Sequence, residues 1–562
     1  MMLRRLSLVC SLLAVAACAQ QGKHAATGSS PSVATAPNAA PVDTPARLFD
    51  GMGNHHRTIT TSSAQAQRFF DQGFTWMYAF NHDEAIRSFK EVARLDPNCA
   101  MAWWGVAVCN GPHINRPGMT PRQNAAAWDA IQRAQALSAG ASATERAMIE
   151  ALAKRYAADP PKDRRTLDES YAAAMRDLWR AHPNDADIGT LCAESLMDLH
   201  PWDLWTIDGS PKPGAEDIVS VLEAVLRLDP SHPGANHLYI HAVEASAEPG
   251  RASAAADRLR HMVPASGHLL HMPSHIDVRT GKWAEAAACN ERAIKADEKY
   301  RSLSPRQDFY RVYMAHDNHF LSYVCMMQGR SARSLRAARD MIDQVPKDYL
   351  RENAALMDPY MFIDVESLMR FGRWDDLLRL REPPSYLPIT RAYWRFTRGI
   401  ALAAKGDIAE AQREQQRFRA LFKILPEDAL MAINNAHLVM DIADHVLSGE
   451  IAYREKKYDE AIGQLQAAAE LESRLLYMEP PEWIIPVRHT LGAVLLEAGR
   501  PGEAEAAYRY DLRHWPENGW SLYGLSVALR SEEKTPRRRR SRSDSRRPGP
   551  PPTQKSRPVA CA

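Results

Sequence analysis

The chain has 562 residues and a net charge of +2, with 45% hydrophobic and 25% charged residues, which is the composition of an ordinary soluble protein. This length excludes a single compact core, so the chain forms several domains or one extended array. Alanine, leucine, arginine and glutamate dominate and runs of β-branched residues are scarce, so helix is favoured over strand almost everywhere.

The first residues have the features of an export signal. Two arginines precede an apolar stretch, residues 6–17, that is too short to span a bilayer. Small residues then lead to Cys18, and this arrangement resembles the lipobox of bacterial lipoproteins. The resemblance implies a signal peptide over residues 1–18, with a lipid on Cys18. Ala19, which is not Asp, implies the outer membrane, facing the periplasm. Cleavage after Ala17 without lipid attachment is the alternative.

Residues 19–60 are predicted to be a flexible tether. As far as about residue 44 they are mostly Ala, Ser, Thr, Pro and Gln, with too few large apolar groups to bury a core. After the signal, no segment is apolar enough to cross a membrane, so membrane contact is expected through the lipid anchor alone.

A period of about 34 residues runs through the folded part of the sequence, residues 61–533. With Ala66 as position 1, Gly73 falls at position 8, Ala85 at 20, Phe89 at 24 and Pro97 at 32. These residues resemble the consensus of the tetratricopeptide repeat (TPR). A third unit is recognisable from the proline that closes its second helix, and other units begin at residues 100, 186, 233, 267, 315, 358, 392, 442, 485 and 519.

The resemblance implies an all-α fold, a TPR α-solenoid of about 11–12 helix-turn-helix repeats. Each unit is two antiparallel helices that bury their apolar faces only against neighbouring units, which builds a superhelix with one concave surface. Insertions at residues 111–119 and 201–215 both follow a first helix, so they are expected at the same edge. Trp202 and Trp205 in the second insertion either cover the groove or cap a helix edge.

Histidines are concentrated in three adjacent units. Eight of the twenty lie between His237 and His319. The concave, ligand-facing positions of a TPR unit are 2, 5, 9, 12 and 13, which share one helix face. All of the eight except His261 fall at these positions. The members of this stripe are His237, His241, His268, His271, His275, His316 and His319.

Imidazoles on one stripe predict a metal site, because imidazole and carboxylate groups are ligands of divalent transition metals such as Zn²⁺, Fe²⁺ or Cu²⁺. Seven imidazoles exceed one tetrahedral shell, so either one ion with supporting histidines or two ions are expected. Glu194 and Glu244 are the candidate catalytic bases, and Glu366 extends the stripe. The alternative is a polar groove lining that binds a peptide by hydrogen bonds.

The remaining motifs are weaker indications of a functional site. His55 and His56 precede the first unit and are expected in solvent, His113 lies in a loop near the groove, and His489 is expected to line the groove alone. No phosphate-binding glycine loop is present, so no nucleotide cofactor is expected.

Residues 534–562 are predicted to be a disordered tail rich in arginine and proline. From Thr535 onward there are nine Lys or Arg residues and one Asp. Arginine clusters bind phosphates, but an exported protein rarely meets nucleic acid, so no nucleic-acid partner is expected. The unit that begins at 519 lacks a second helix in the sequence, which indicates either a frame-shifted end or a genuine tail.

The motifs HLYIH, HMPSHI and HDNHF together resemble a bacterial family of TPR lipoproteins. That resemblance implies the fold and the anchor and leaves the reaction open. The first hypothesis is a cell-envelope protein whose concave, histidine-rich groove binds a peptide or protein ligand and a transition metal. The second is a metal-dependent enzyme, a hydrolase or an oxidoreductase, with His and Glu ligands on the concave face.

Overall fold

A computed structural model of the chain describes residues 46–304, 307 and 309–544, with side chains described as far as residue 532. The described part is an all-α solenoid in which antiparallel helix pairs stack along the chain, as the TPR resemblance predicts. The signal segment, Cys18, the tether as far as residue 45 and the tail from residue 545 lie outside the described residues.

The first helix of each unit begins at or near the residue that the period predicts. The predicted starts at 100, 186, 233, 267 and 519 are themselves the first residues of helices. These first helices are α1 (Ala64–Tyr78), α3 (Ala100–Asn110), α5 (Ala143–Ala153), α7 (Ala186–Met197), α9 (Pro233–Val243), α11 (Gly267–His271) with α12 (Pro273–Arg279), α14 (Tyr310–Met327), α18 (Ile363–Arg370), α20 (Pro388–Ala404), α22 (Ala436–Arg454), α24 (Val487–Glu497) and α26 (Gly519–Asp544).

The second helices return antiparallel to the first. They are α2 (His82–Leu95), α4 (Pro121–Leu137), α6 (Arg165–Ala181), α8 (Ala215–Leu228), α10 (Ser253–Met262), α13 (Trp283–Leu303), α15 (Ser331–Gln344), α19 (Trp374–Arg379), α21 (Ile408–Phe422), α23 (Tyr458–Glu472) and α25 (Pro501–His514). Two short helices, α16 (Lys347–Glu352) and α17 (Ala354–Met357), and a small antiparallel pair, β1 (Leu430–Met431) and β2 (Asn434–Asn435), lie in the connections.

The packing explains the small and aromatic positions of the repeat. A Cβ added at Gly73 would lie 2.8 Å from the Phe89 ring, and one added at Gly105 in the next unit would lie 2.5 Å from the same ring. The aromatic ring of one unit therefore fills the space left by glycines in two successive first helices. Tyr508 repeats this packing at the other end of the solenoid, where a Cβ at Gly492 would lie 2.4 Å from its ring.

The superhelix turns tightly enough that units far apart in sequence touch. Trp283 of α13 donates from Nε1 to the carbonyl of Pro516 at 2.7 Å. Trp520 of α26 donates in the same way to the carbonyl of Met326 in α14 at 2.8 Å. These contacts bring the last units against the middle ones, so the concave surface encloses a cavity between them.

The segment before the first helix is part of the folded body. The side chain of His55 is 8% exposed, and its Nε2 lies 3.0 Å from Asp187 Oδ1. Arg57 donates to Asp185 at 2.8 Å. The described part of the predicted tether, residues 46–60, is therefore packed on the solenoid. His55 was expected in solvent, and this expectation is wrong. The neighbouring His56 is exposed, with 55% of its side chain accessible.

At the other end, α26 runs to Asp544, past residue 534 where the predicted tail begins. The start of that segment is thus helical in the structure. Among the helices of the described residues, none combines the length and the apolar character needed to cross a bilayer.

Candidate metal centre and the adjoining cavity

The predicted histidines lie on three adjacent first helices. His237 and His241 belong to α9, His268 and His271 to α11, and His275 to α12. Pro273 separates the last two helices, as expected for a residue that removes a backbone hydrogen bond. The third helix is α14, which carries the remaining two histidines of the stripe.

Three of these histidines form a first trio: one side-chain nitrogen from each of His237, His241 and His268 lies within 4.8 Å of the others. His237 Nδ1 is 2.6 Å from the backbone carbonyl of Tyr78, which only accepts, so Nδ1 carries the proton and Nε2 is bare. His241 Nδ1 faces Glu244 Oε1 at 2.8 Å, and its Nε2 has no hydrogen-bond partner.

A second trio consists of His271, His275 and His316, with the same spacing limit of 4.8 Å. His271 Nδ1 lies 2.7 Å from Asn290 Oδ1. The amide nitrogen of Asn290 donates to the carbonyl of Ala286 at 2.9 Å, which fixes Oδ1 as the acceptor for His271. His271 Nε2 is therefore bare and lies 2.7 Å from His275 Nε2. His316 is partly exposed to the adjoining cavity.

Glu244 joins the two trios. Its Oε1 accepts from His241, and its Oε2 lies 2.5 Å from His275 Nδ1, so one carboxylate orients one imidazole in each trio. Carboxylates and carbonyls commonly hold the outer nitrogen of metal-bound histidines in this way. Two nitrogens on a tetrahedral metal are about 3.3 Å apart. The distance between the Nε2 atoms of His237 and His268 is 3.1 Å, which is close to that separation.

The electrostatics favour neutral imidazoles in the first trio. Burial lowers the pKa of His241 and holds the pKa values of His237 and His268 well below 6.5, and protons on neighbouring imidazoles lower them further. Because metal ligands must be deprotonated, these groups need lose no proton to bind an ion. Burial likewise depresses the pKa values of His271 and His316.

His275 differs from the others. Burial disfavours its charged form, but the carboxylates of Glu479 and Glu244 outweigh burial and raise its pKa to about 10. Burial also acts on Glu244, yet His275 and His241 hold the pKa of Glu244 at about 2. Without a metal, His275 is therefore an imidazolium that donates from Nε2 to His271. An ion held by His271, His275 and His316 would take the place of this shared proton.

The remaining predicted residues are placed differently. His319 belongs to neither trio; its ring centroid is 5.7 Å from that of Tyr360, and burial lowers its pKa to about 4. Glu194 of α7 is neither in a trio nor on the cavity wall, and burial together with the charge of Asp198 raises its pKa to about 8. Of the two candidate bases, only Glu244 lies with the histidines, where it orients imidazoles.

A further cluster, which sequence reasoning missed, contains His55, Asp187 and His232. Asp187 Oδ1 faces the Nε2 atoms of His55 and His232, each at 3.0 Å, and it accepts from the hydroxyl of Tyr78 at 2.9 Å. Asp187 Oδ2 accepts from Arg57 at 3.0 Å. Since this carboxylate is already satisfied by four donors, we interpret the cluster as a structural network that ties the N-terminal segment to the solenoid.

A cavity of about 350 Å³ opens beside both trios. His241, His268, His275 and His316 form part of its wall, together with His319. This volume lies in the range of small-molecule sites. The two trios therefore adjoin a space that a small ligand can occupy.

Both predicted insertions reach the rim of this cavity. Trp202 Nε1 donates to Asn115 Oδ1 at 3.0 Å, which confirms that the insertions project at the same edge. Trp202 lines the cavity and so covers the groove, whereas Trp205 donates to the carbonyl of Ala242 at 2.7 Å. His489, by contrast, is buried against Asp511, with 2.8 Å between Nε2 and Oδ2, and does not line the cavity.

Three glutamates complete the wall. Glu366 lines the cavity as the extension of the stripe predicts. Glu479 and Glu482 were missed, because they lie in the connection between α23 and α24, where the repeat period has no assigned positions. The only sequence signal is the run MEPPEW, two acidic residues flanking a pair of prolines.

Comparison with known proteins gives no match to a family model and none to a curated protein. Among solved structures, the human IFIT1 dimer with m7Gppp-AAAA is 12% identical, with a TM-score of 0.34 over 84% of this chain and 91% of the other. The APC/C hetero-tetramer Cut9-Hcn1 is 14% identical, with a TM-score of 0.30 over 83% of this chain and 76% of the other. Yeast Tom70 is 10% identical, with a TM-score of 0.26 over 84% of this chain and 90% of the other. At these TM-scores the fold assignment rests on the helix pairs of the chain itself.

Proposed function

We propose that this chain is a helical-repeat metalloprotein that holds divalent transition-metal ions in its two histidine trios, at the floor of a small-molecule cavity. The observation that supports this most is the direction of the ring nitrogens. The outer nitrogens of His237, His241 and His271 are bonded to fixed acceptors, while their inner nitrogens face other imidazoles of the same trio or, at His241, have no hydrogen-bond partner. A groove lining that served only a peptide would not need this arrangement.

The ligand set indicates the metal. Each trio offers imidazole nitrogens and no thiolate, which suits Zn²⁺, Cu²⁺ or Fe²⁺. Three protein ligands leave a fourth position open on a tetrahedral ion, as in catalytic rather than structural zinc sites. An ion with an open position supplies Lewis acidity to a ligand in the cavity.

This geometry favours the metal-dependent enzyme, a hydrolase or oxidoreductase, over the open scaffold. An enzyme needs a sheltered pocket, and here the loop that carries Glu479 and the insertion that carries Trp202 both line the cavity. In this reading Glu244 orients His241 and His275, and Trp202 shields the site from water.

A peptide or protein ligand is the second candidate. The cavity lies on the concave surface, where helical-repeat proteins bind extended ligands. Its volume of about 350 Å³ suits a chain terminus or a small segment rather than a folded partner. We further propose that the protein acts in the bacterial cell envelope, anchored at the outer membrane through Cys18; the export signal and lipobox in the sequence support this.

Elemental analysis of the full chain, purified without chelators or a histidine tag, tests the metal proposal. We expect about one to two ions per chain. His268→Ala and His271→Ala, one in each trio, should each reduce the metal content without loss of helicity. His261→Ala is the matched control, because His261 is exposed and belongs to neither trio. Well under one ion per chain in the unsubstituted protein, after incubation with each metal, would overturn the proposal.

A further inference from the structure

The wall of the cavity is acidic. Its described lining residues include three glutamates and no lysine or arginine, and the imidazolium of His275 is the cationic group among them. The glutamates come from distant parts of the chain: Glu366 from α18, and Glu479 and Glu482 from the loop after α23. Burial of a carboxyl group is costly unless it is paired, and here three carboxyl groups share a single imidazolium.

Glu479 is the clearest case. It is 4% exposed, and its Oε1 has no hydrogen-bond partner. Its Oε2 forms an ion pair with the His275 imidazolium, with 2.5 Å between Oε2 and Nδ1, and Glu244 Oε2 lies at the same distance from that nitrogen. Glu479 thus lines the cavity with one carboxylate oxygen, Oε1, that has no partner.

The other two carboxyl groups, unlike Glu479, have no cationic side chain acting on them among the described residues. Burial raises the pKa of Glu366 to about 8, and burial together with Glu366 raises the pKa of Glu482 well above its ordinary value. A hydrogen bond with the hydroxyl of Tyr393 lowers the pKa of Glu366 but does not outweigh burial. A cation in the cavity would favour the ionised form of both groups and would then be bound by their charge.

The rest of the wall is aromatic and apolar. Tyr313, Tyr360, Phe362 and Trp202 are among its members. Aromatic faces attract ammonium groups through their quadrupole, and apolar walls accept hydrocarbon. A metal ion does not suit this part of the cavity, because no group of potential metal ligands among the described residues includes any of the three glutamates.

We infer that the cavity binds an organic cation, an ammonium group carried on an apolar body, with Glu366, Glu479 and Glu482 facing the charge. This inference deepens the proposed function by naming the ligand class of the same cavity, and it rests on that function only for placing the ligand beside the trios. The ammonium belongs either to a small amine or to the N-terminus of a peptide.

Calorimetric titration of the full chain tests the inference, with the chelator-treated and the metal-loaded protein measured separately. The probes are 2-phenylethylammonium, the neutral 2-phenylethanol and the anionic phenylacetate. We expect the ammonium to bind at least about tenfold more tightly than either analogue, since a charge-assisted contact in a desolvated site is worth more than one factor of ten. Equal binding of the neutral and cationic probes would overturn the inference.

Two variants localise the effect. Glu366→Gln and Glu482→Gln keep the side-chain shape. Each should weaken the binding of 2-phenylethylammonium by at least about tenfold and leave the affinity for 2-phenylethanol nearly unchanged. Glu427→Gln, at an exposed position outside the cavity, is the control. Unchanged ammonium affinity in both cavity variants would contradict the assigned site. Should a variant fail to fold, the comparison of the three probes on the unsubstituted protein still tests whether the cavity prefers an organic cation.

A third arm separates the two sources of the ammonium. The tripeptide Phe-Ala-Ala with a free N-terminus should bind more tightly than its N-acetylated form if peptides are the ligands, whereas a small-amine site admits only phenylethylammonium. Binding of neither cation overturns the inference. Metal content is measured on the same samples, so absence of metal with retained ammonium binding contradicts the proposed metal centre alone.

Discussion

Glu244→Gln is the substitution that most directly tests how the two trios are built. The carboxylate of Glu244 accepts from His241 Nδ1 at 2.8 Å and lies 2.5 Å from His275 Nδ1. A glutamine has one acceptor oxygen and one donor amide, so it can satisfy only one of these imidazole N–H groups. The other imidazole faces a donor and must rotate or change tautomer, which turns its inner nitrogen away from the metal.

Loss of such a supporting carboxylate typically weakens metal affinity 10- to 100-fold, or about 1.4–2.7 kcal/mol. The same weakening should reduce the stabilisation that saturating metal gives the folded protein. At a fixed metal concentration well above both dissociation constants, we expect the metal-dependent part of the stability to fall by up to about 2.7 kcal/mol. Because removal of the carboxylate also perturbs the metal-free protein, the quantity to compare is the difference between loaded and chelated samples.

The assay is a competition titration against a chromophoric chelator, with thermal unfolding of loaded and chelated protein in parallel. Glu248→Gln is the matched control, since Glu248 is exposed and lies one turn further along the chain. If Glu244→Gln lowers the melting temperature of both samples equally and leaves the metal dissociation constant unchanged, Glu244 is only a structural residue, and the reasoning is refuted.

Three further predictions concern other parts of the chain. Burial raises the pKa of Asp187, but hydrogen bonds from His232 and His55 hold it well below 3.8, so its stabilisation is present above about pH 4 and is lost as pH falls through the depressed value. Asp187→Asn should therefore lower the free energy of unfolding by about 3 kcal/mol at pH 7 and flatten the acid side of the plot of melting temperature against pH. A plot that runs parallel to that of the unsubstituted protein would contradict this. Cys18→Ser should move the protein from the membrane to the soluble periplasmic fraction or block its processing, and unchanged fractionation would exclude the lipid anchor. Truncation after Ser531 should leave the melting temperature within about 2 °C, because the contacts of Trp520 with Met326 that hold α26 precede the cut; a larger drop would show that the removed segment packs on the solenoid.

The repeat register is what the sequence predicts best. Small residues such as Gly73 and aromatic ones such as Phe89 recur with the period because each ring fills the space above glycines in neighbouring helices. Such contacts are local, between units adjacent in sequence, so their pattern can be read from the chain. The same periodicity places His237, His268 and Glu366 on one concave face, and the structure finds all three on or beside the cavity.

The division of the histidines into two trios depends on tertiary structure, because it follows from side-chain direction and not from helix position. His319 shares the stripe but faces Tyr360, while Glu244 is placed between His241 and His275 by the relative rotation of α9 and α12. Small rotations between units also accumulate along the superhelix. They bring Glu479, more than two hundred residues away in the chain, within 2.5 Å of His275. Positions along the period define which face a residue occupies, but the sum of these rotations decides which distant residues meet, and no local pattern records that sum.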